Sequence, residues 1–290
     1  MFLHWITFTI TYPIIYLLSK LPFKVIYGIS DILHFFVFQI FKYRIKVVRS
    51  NIQIAFEQNS TSEQEAIIKN FYKHFCDVLV EMIKAFSMTR QEYNERYKVL
   101  NHIEMQELKD RSFILTMPHI ANWEWANSIT NLIDVPIFSI YSKLENPYFD
   151  QKIRSSRGKM GTIMTHTRET RAIIEHQESQ KTPSVYGIMS DQSPLKRKAK
   201  YWNTFFGKEV PVHTGAEELC RKYNIPMVFL DMNKVKRGYY EGYLEVLSSN
   251  PKDLKPFELT DIYMNRVEQS ILEKPHLYLW THRRFKHARN

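Results

Sequence analysis

The sequence predicts an α/β layered domain with a mixed sheet, preceded by N-terminal membrane-anchoring helices. After residue 51, short apolar runs of strand length alternate with segments of helical periodicity, an order typical of layered α/β domains. The first 41 residues differ, because they form two apolar stretches separated by one break. These observations divide the chain into an anchor over residues 1–41 and one principal domain over residues 42–290.

The predicted strands lie in apolar runs over residues 113–116, 135–141, 162–164, 185–189 and 227–230, and residues 239–247 alternate like a more exposed strand. Helices are predicted over residues 62–86, 168–178, 215–223 and 261–272. The longest of them is amphipathic. No internal repeat, low-complexity tract or linker divides the domain.

The N-terminal segment predicts membrane contact. Residues 2–19 contain no Asp, Glu, Lys or Arg, and about 18 apolar residues are just long enough to cross the hydrocarbon layer. Pro13 weakens a simple spanning helix, and the second stretch, over residues 23–41, carries Lys24 and Asp31. Two arrangements fit: a spanning helix followed by an interfacial helix, or a hairpin-like pair in the interface. Alternatively, the second stretch is a core helix of the domain.

The charges around this anchor predict its orientation. The chain begins without a basic region, and no small-x-small cleavage site follows, so a cleaved signal peptide is not expected. Positive charge follows the apolar stretches at Lys42, Arg44, Lys46 and Arg49. The positive-inside tendency places the principal domain on the cytoplasmic side.

The overall composition indicates a folded protein with an anionic partner. With 290 residues, of which 44% are hydrophobic, the chain can bury a large core and is not compositionally disordered. Its net charge of +10 suits nucleic acid, anionic lipid or an acidic carrier protein, and does not choose among them. Cys76 and Cys220 match no zinc or redox spacing, so reduced thiols are expected.

The most informative stretch follows the strand predicted at residues 113–116, where His119 precedes Glu124 by five positions. In a continuous α-helix this step is about 500°, which leaves the two side chains on different faces. Pro118 disfavours helix at the residue before it, and Asn122 can cap a helix that begins at Trp123. A turn between strand and helix therefore brings the two side chains together. The carboxylate would fix the imidazole tautomer, leaving the other ring nitrogen free to act as a general base.

Residues 117–125 resemble the His-x4-Asp/Glu motif of the glycerolipid and lipid A acyltransferases, and Asn-Trp-Glu is typical of the bacterial lipid A late acyltransferases. Further segments resemble blocks of that family in the same order, so the resemblance covers nearly the whole chain. These segments are residues 43–51 with 55–56, 146–157, 191–192, 205–207 with 214–215, and 279–286.

The resemblance implies a membrane-bound enzyme of the bacterial inner membrane. Such an enzyme moves a fatty acyl chain from an acyl carrier protein thioester to a hydroxyl of a lipid A precursor. The implied fold is glycerolipid-acyltransferase-like, with the active site in a groove at the sheet's edge. The thioester is a co-substrate, and no metal or other cofactor is expected. His102, His166 and His213, in particular, have no metal-ligand spacing.

Three residues are predicted to be catalytic. His119 is the general base, and Glu124 orients it. Lys143, Arg154 and Arg157 are candidates for stabilising the oxyanion, and the resemblance around Asn146-Pro147 favours Arg157. Arg154 is interpreted as part of a solvated helix face.

A second set of residues is predicted to bind substrate. Asp191 is expected to position Arg157 or the acceptor, or alternatively to cap a turn. The basic run over residues 195–200 is either a solvated loop or a surface that meets phosphates or an acidic carrier. The resemblance around Arg283 and Arg284 implies a structural or a headgroup role. The predicted substrate-binding residues are Asn122, Trp123, Lys143, Asp191, Gln192, Arg283 and Arg284.

Two other functions remain open at this point. The first is the same acyl-transfer chemistry on a lysophospholipid, an aminolipid or another specialised lipid. A non-catalytic basic protein that binds anionic lipid or RNA at the membrane surface is the other, although no RNA-binding motif accompanies the basic residues. The sequence also departs from the family pattern, because Ala121 stands where glycine is common and Ser142-Lys143 replaces a more usual arginine-containing pair.

Overall fold

The computed structural model describes residues 1–101, 108 and 110–289. Its helices are α1 Phe2–Ser19, α2 Phe23–His34, α3 Ile45–Ala55, α4 Thr61–Lys84, α5 Arg90–Arg96, α6 Pro147–Arg157, α7 Thr170–Ser179, α8 Gly215–Tyr223 and α9 Glu258–Glu273. Its strands are β1 Tyr97–Val99, β2 Phe113–Thr116, β3 Ile137–Tyr141, β4 Ile163–His166, β5 Val185–Gly187, β6 Tyr201–Phe205, β7 Lys208–Val212, β8 Met227–Lys236 and β9 Tyr239–Ser248. A 3₁₀ helix over Trp123–Asn131 follows β2, and a π-helical segment over Phe35–Ile40 extends α2.

Within the described residues, the strands form a seven-stranded sheet in the order β1-β9-β8-β2-β5-β3-β4. Strands β8, β2, β5, β3 and β4 run parallel, and β9 is antiparallel to β8. Strands β6 and β7 form a separate antiparallel hairpin. The predicted mixed α/β sheet is confirmed, and β2, which leads to His119, lies at its centre.

Most predicted elements lie where the periodicity places them. Helix α8 has the predicted bounds, and α4, α7, α9 and the strands β2, β3, β5, β8 and β9 overlap their predicted ranges. The sequence pattern does not predict β1, which is only three residues long, or the β6–β7 hairpin, which follows the basic run. His102, which was not predicted to bind a metal, lies outside the described residues.

The two N-terminal helices pack on the domain with one side and are exposed on the other. Both α1 and the segment Phe23–Ile40 are long and apolar enough to cross a membrane, and little of either is buried. Helix α1 stacks Phe8 on Tyr148 of α6, with ring centroids 5.6 Å apart. The helices can therefore anchor the domain to a membrane through their outer side, which exposes large apolar side chains including Trp5, Ile10, Leu17, Ile32, Phe36 and Phe41.

Helix α2 turns a polar stripe toward α4. Tyr27 donates a hydrogen bond to Glu81 at 2.7 Å, and Ser30 donates one to Asp77 at 2.8 Å. The alternative that this helix is a core helix of the domain does not fit, because Ile32 and its neighbours on the outer side are exposed. Polar contacts on one side and apolar exposure on the other are features of a helix that lies at an interface.

Two of the segments that carry the family resemblance meet across the fold. The side-chain amide of Asn51 in α3 donates to the backbone carbonyls of Trp280 and His282, at 2.9 and 2.7 Å. Arg44 donates to the carbonyl of Thr281 at 3.0 Å. These contacts tie the segment after the anchor to the C-terminal segment, so both blocks have a structural role.

The two cysteines lie on α4 and α8. Both are free and buried, and burial raises the pKa of each thiol. Both thiols are therefore reduced and unreactive, as expected from the spacing of the cysteines.

Candidate active site

The parallel strands β2 and β5 bring His119 and Asp191 together. Leu115 of β2 lies opposite Gly187 of β5, and His119 and Asp191 each lie four positions further along the chain. In parallel sheets the carboxyl ends of neighbouring strands share one edge, where functional side chains are commonly exposed. The expected groove therefore begins at the carboxyl ends of the neighbouring strands β2 and β5.

Asp191 holds His119 through both the ring and the backbone. The Nδ1–H of His119 donates to one carboxylate oxygen at 2.7 Å, and its backbone N–H donates to the other at 3.1 Å. Burial alone would lower the pKa of His119, but the charge of Asp191 and its hydrogen bond outweigh burial, so the pKa is raised. Burial opposes ionisation of Asp191 as well, yet the contacts with His119 lower its pKa. With the proton on Nδ1, the lone pair lies on Nε2.

The Nε2 side of His119 borders a groove of about 600 Å³. Trp123 meets the imidazole edge-on, with ring centroids 5.4 Å apart, and the amide nitrogen of Gln192 lies 3.4 Å from Nε2. Both residues line the groove, where they were predicted to contact substrate. The base therefore has room beside it for a substrate hydroxyl.

Glu124 is bound to Arg157. One carboxylate oxygen accepts from Nη2 at 2.8 Å and the other accepts from Nε at 3.0 Å, which is a bidentate pair. The expectation that Glu124 orients His119 is wrong, because the register of β2 and β5 places Asp191 at Nδ1 instead. The negative charge of Glu124 still makes a smaller contribution to the raised pKa of His119.

The Glu124–Arg157 pair lies between two cavities. Both residues line the groove beside His119, and both also line a second cavity of about 400 Å³. That cavity is bordered mainly by apolar side chains of the anchor helices, α4 and α6, among them Ile15, Leu33, Leu79, Met82, Phe149 and Ile153. Arg157 was predicted to face the reacting group, and it lies where the groove beside His119 meets the more apolar second cavity.

Residues 119–124, here called the motif turn, are clamped from several sides. The backbone N–H of Ala121 donates to Leu277 at 3.1 Å, and the Nε2–H of the buried His74 donates to the carbonyl of Ala121 at 3.2 Å. The backbone carbonyl of His119 accepts from Leu279 at 3.0 Å. Ala121 has a φ of 54°, in the left-handed region that favours glycine, which explains why glycine is common there in the family pattern.

The prediction that Asn122 binds substrate is wrong. The side chain of Asn122 is fully buried beneath the rest of the motif turn. Its side-chain oxygen accepts from the backbone N–H of Trp125 at 3.1 Å, which caps the 3₁₀ helix as the sequence predicted. Its side-chain nitrogen donates to Glu81 at 2.6 Å. Both polar atoms are thus used inside the protein.

Glu81 belongs to a buried polar stripe on α4 that sequence reasoning missed. The stripe comprises His74, Asp77, Glu81 and Lys84, all buried, and it faces α2, β8, β9 and the motif turn. Its spacing of three and four residues places four titratable side chains on one face of a helix. That spacing was visible in the sequence, but the apolar periodicity of the same helix obscured it.

The prediction that Arg284 binds substrate is also wrong, and the alternative of a structural role fits instead. Arg284 is completely buried, and one guanidinium nitrogen donates to Ser193 at 2.8 Å and to the carbonyl of Pro211 at 3.0 Å. Its guanidinium lies 4.9 Å from the ring centroid of Phe205. The cation is therefore a structural element of the core. Its neighbour Arg283 is exposed.

The remaining predicted contacts lie on the surface around the groove. Lys143 is exposed directly after Ser142, which lines the groove. Residues 196–198 of the basic run form an exposed 3₁₀ turn. The pKa of the groove residue His213 is lowered by burial and by nearby cations that include Lys198, so this turn lies close to the groove.

These residues equip the groove for one class of reaction. The His119–Asp191 pair can take a proton from a hydroxyl, and Arg157 can stabilise negative charge that develops on an attacked carbonyl. The adjoining apolar cavity can hold a hydrocarbon chain. A base, a cation and an apolar pocket at one point fit the requirements of an acyltransferase active site.

Comparison with known proteins identifies the class further. The family model for bacterial lipid A biosynthesis acyltransferases matches residues 1–287, and the chain belongs to that family. It is 24% identical to the lipid A biosynthesis palmitoleoyltransferase of Escherichia coli (strain K12) over 98% of this chain and 93% of the relative. It is also 24% identical to the lipid A biosynthesis lauroyltransferase of the same organism, over 98% of this chain and 92% of the relative. A lipid A biosynthesis acyltransferase of Shigella flexneri is likewise 24% identical, over 98% of this chain and 93% of that relative.

The protein is therefore an acyltransferase, as the resemblance predicted. Family membership also excludes the alternative of a non-catalytic lipid- or RNA-binding protein.

Proposed function

We propose that the protein transfers a fatty acyl chain from an acyl carrier protein thioester to a hydroxyl of a lipid A precursor at the inner membrane. The observation that carries this proposal is the placement of His119, backed by Asp191, in a groove that meets an apolar cavity at Arg157. The names of the relatives, which act in lipid A biosynthesis, support the choice of acceptor.

In the proposed reaction, Nε2 of His119 removes the proton from the acceptor hydroxyl as the oxygen attacks the thioester carbonyl. A positioned general base of this kind contributes about 10²- to 10⁴-fold to the rate. Asp191 keeps Nδ1 protonated and stabilises the imidazolium that forms. No side chain of the protein becomes acylated, and no metal is needed.

Attack on the carbonyl places negative charge on its oxygen. Arg157 can donate to this oxyanion, because Glu124 binds the Nε and Nη2 atoms and the Nη1 edge of the guanidinium lies outside that pair. When the intermediate collapses, the carbon–sulfur bond breaks and the thiolate takes the proton from His119. The products are an ester and a free thiol, so protons and bonds balance.

The two cavities suit the two substrates. We assign the fatty acyl chain to the apolar cavity between α1, α2, α4 and α6, and the acceptor headgroup to the groove beside His119. The thioester carbonyl would then lie next to Arg157, at the point that both cavities share. The second cavity has the more uniformly apolar walls, which suits a hydrocarbon chain, and the groove holds the base that must meet the acceptor hydroxyl.

Charge supports an acidic donor protein. The net charge of +10 and the exposed basic turn over residues 196–198 near the groove favour encounter with an acidic carrier, most strongly at low salt. A multi-chain lipid acceptor does not leave the bilayer, because each buried methylene contributes about 0.8 kcal/mol. The donor therefore arrives from the cytosol, and the enzyme stays at the membrane.

The apolar outer side of α1 and α2 supports attachment to the membrane. The positive charge after these helices supports a cytoplasmic position for the principal domain. The packing of both helices on the domain would place the mouth of the apolar cavity at the level of the lipid.

The test is mass spectrometry of lipid A and total lipids from cells that lack and then regain the protein. We expect lipid A to lose one acyl chain without the protein and to recover it with the wild-type protein but not with His119→Ala. Unchanged lipid A together with a change in a lysophospholipid or an aminolipid would overturn the proposed acceptor. The mass of the missing chain also identifies the donor length.

A further inference from the structure

The carboxylate of Glu81, which lies outside both cavities, is hydrogen-bonded to the motif turn. Glu81 of α4 is fully buried and lines neither the groove nor the apolar cavity. It cannot reach a substrate, so any influence on the reaction must pass through the residues that it contacts.

Three donors from three separate elements converge on this carboxylate. One oxygen of Glu81 accepts from the hydroxyl of Tyr27 in α2 at 2.7 Å. The other accepts from the side-chain amide of Asn122 at 2.6 Å and from the hydroxyl of Tyr240 in β9 at 2.7 Å. Glu81 thereby links an anchor helix, the sheet and the motif turn at one point.

The bond to Asn122 fixes the start of the helix that carries Glu124. The same Asn122 side chain caps that helix at Trp125, and the indole N–H of Trp125 donates to the backbone carbonyl of Glu81 at 3.3 Å. Trp125 is itself fully buried. The first helical turn is therefore attached to α4 by a side-chain bond and a backbone bond, and Glu124 extends from it toward Arg157.

A carboxylate at this depth carries a free-energy cost. Burial raises the pKa of Glu81 to about 7, although the hydrogen bonds from Tyr27 and Tyr240 partly offset the effect. Lys234 favours the charged form and Asp77 opposes it. An apolar side chain would fill the same space without this cost, but it could not hold Asn122.

We propose that Glu81 is a positioning residue, which holds the motif turn so that His119 and Glu124 keep the geometry needed for acyl transfer. Its bond to Tyr27 connects that geometry to the anchor helix α2. This role rests on the acyl transfer proposed above. In this role Glu81, a buried residue of α4 remote from the substrates, helps to set the rate of acyl transfer.

The direct test compares Glu81→Met and Glu81→Gln with a matched control, Glu217→Met. Glu217 is also a buried helix carboxylate, and it accepts from Phe257 and Thr260 at 2.6 to 2.9 Å, away from the motif turn. A glutamine can keep an oxygen toward Asn122 and Tyr240 while its amide donates to Tyr27, whereas methionine offers no acceptor.

Transfer is measured with lauroyl-acyl carrier protein and lipid A precursor in detergent micelles, per mole of folded protein. We expect Glu81→Met to lower kcat by about 100-fold, the cost of a misplacement of about 1 Å, with the donor KM little changed. Glu81→Gln should restore most of kcat. Glu217→Met should lower the thermal midpoint but not kcat. Equal kcat values for Glu81→Met and Glu217→Met would overturn the proposal.

A second readout does not depend on turnover. Diethyl pyrocarbonate modifies a neutral imidazole, and the His119 side chain is only 19% exposed. Release of the motif turn should raise the modification rate of His119 several-fold in Glu81→Met and leave it unchanged in Glu217→Met. Wild-type protein without transfer activity would overturn the proposed function, and the modification rates would still decide the role of Glu81.

If Glu81→Met does not fold, Asn122→Asp probes the same contact at pH 8. It keeps the cap but places a second carboxylate oxygen against Glu81. We expect a large loss of kcat and faster modification of His119, and recovery of both when Glu81→Gln is added to supply a donor. Wild-type values for Asn122→Asp alone, or no recovery in the double variant, would contradict the role of this bond.

Discussion

Asp191 accepts hydrogen bonds from both the imidazole and the backbone N–H of His119, so one carboxylate fixes the side chain and the chain that bears it. The two residues are 72 positions apart in sequence, yet they occupy equivalent positions beyond two neighbouring parallel strands. The pair therefore depends on the register of the sheet. A slip between β2 and β5 would separate the base from its partner even if both side chains were kept.

Replacing Asp191 by Asn should remove the control of the His119 tautomer while preserving the side-chain shape. We expect kcat to fall by about 10⁴-fold, the loss seen when the carboxylate of a catalytic triad is replaced in this way. Steady-state kinetics measure it. Asp261→Asn is a matched control, because Asp261 binds Tyr201 and Asn203 rather than His119. Comparable losses in the two variants would contradict the assignment.

The pH dependence of kcat/KM should report the raised pKa of His119. The base works only when neutral, so the rate should fall as the pH drops through a midpoint above the ordinary value of 6.5. In Asp191→Asn burial would dominate, and the midpoint of the residual activity should move below that of the wild type. An identical midpoint in both proteins would show that another group limits the rate.

Arg157→Lys keeps the positive charge but loses the bidentate contact with Glu124 and the fixed donor geometry. We expect kcat to fall by about 10²- to 10³-fold, the usual cost of losing an oxyanion donor. Arg154→Lys is the control, since Arg154 lies exposed on the same helix, and it should retain its activity. A change confined to KM would instead assign Arg157 to substrate binding.

Ile153→Trp should shorten the apolar cavity that Ile153 lines. Acyl donors with long chains should lose about tenfold in kcat/KM relative to short donors, because overpacking by a large side chain typically costs 1–3 kcal/mol. The measurement compares decanoyl- and hexadecanoyl-acyl carrier protein. Gln151→Trp, at an exposed position of α6, should leave the ratio unchanged. Equal losses for both donors would place the chain elsewhere.

Arg284→Ala should destabilise the fold rather than weaken acceptor binding. Removing a large, fully buried side chain costs about 3 kcal/mol, and this one also donates to Ser193 and Pro211. Thermal unfolding should show the loss, whereas the exposed Arg283→Ala should leave the unfolding midpoint unchanged. An unaltered midpoint for Arg284→Ala together with a raised acceptor KM would restore the substrate-binding role.

Local pattern was enough to predict the mixed α/β class and most of its elements. Apolar runs gave the strands β2, β5 and β8, and helical periodicity located α4 and α8. Strand β1 and the β6–β7 hairpin escaped prediction, because the first is three residues long and the second is a small sheet of its own. The strand order itself depends on pairings between distant segments, which periodicity does not encode.

The site was predicted less completely than the fold. His119, Arg157, Trp123 and Gln192 line one groove, and their roles there stay predictions, but the partner of His119 was assigned to Glu124 from its closeness in sequence. Asp191 holds that place because of sheet register, so the prediction that it positions Arg157 or the acceptor is wrong. Asn122 and Arg284 were assigned to substrate binding because they lie in segments that resemble the family's blocks, and tertiary contacts bury both. Burial of polar groups in a shared network is decided by packing and not by composition.

The polar stripe of α2 also has a practical consequence for purification. Deleting residues 1–41 would remove Tyr27 and Ser30 and leave the carboxylates of Glu81 and Asp77 open to solvent. Such a fragment would lose part of the support beneath its own active site, so a shortened form is a poor reagent. A water-soluble version is better sought by replacing outward-facing residues such as Ile32 and Phe36 with polar ones, while both helices stay in place.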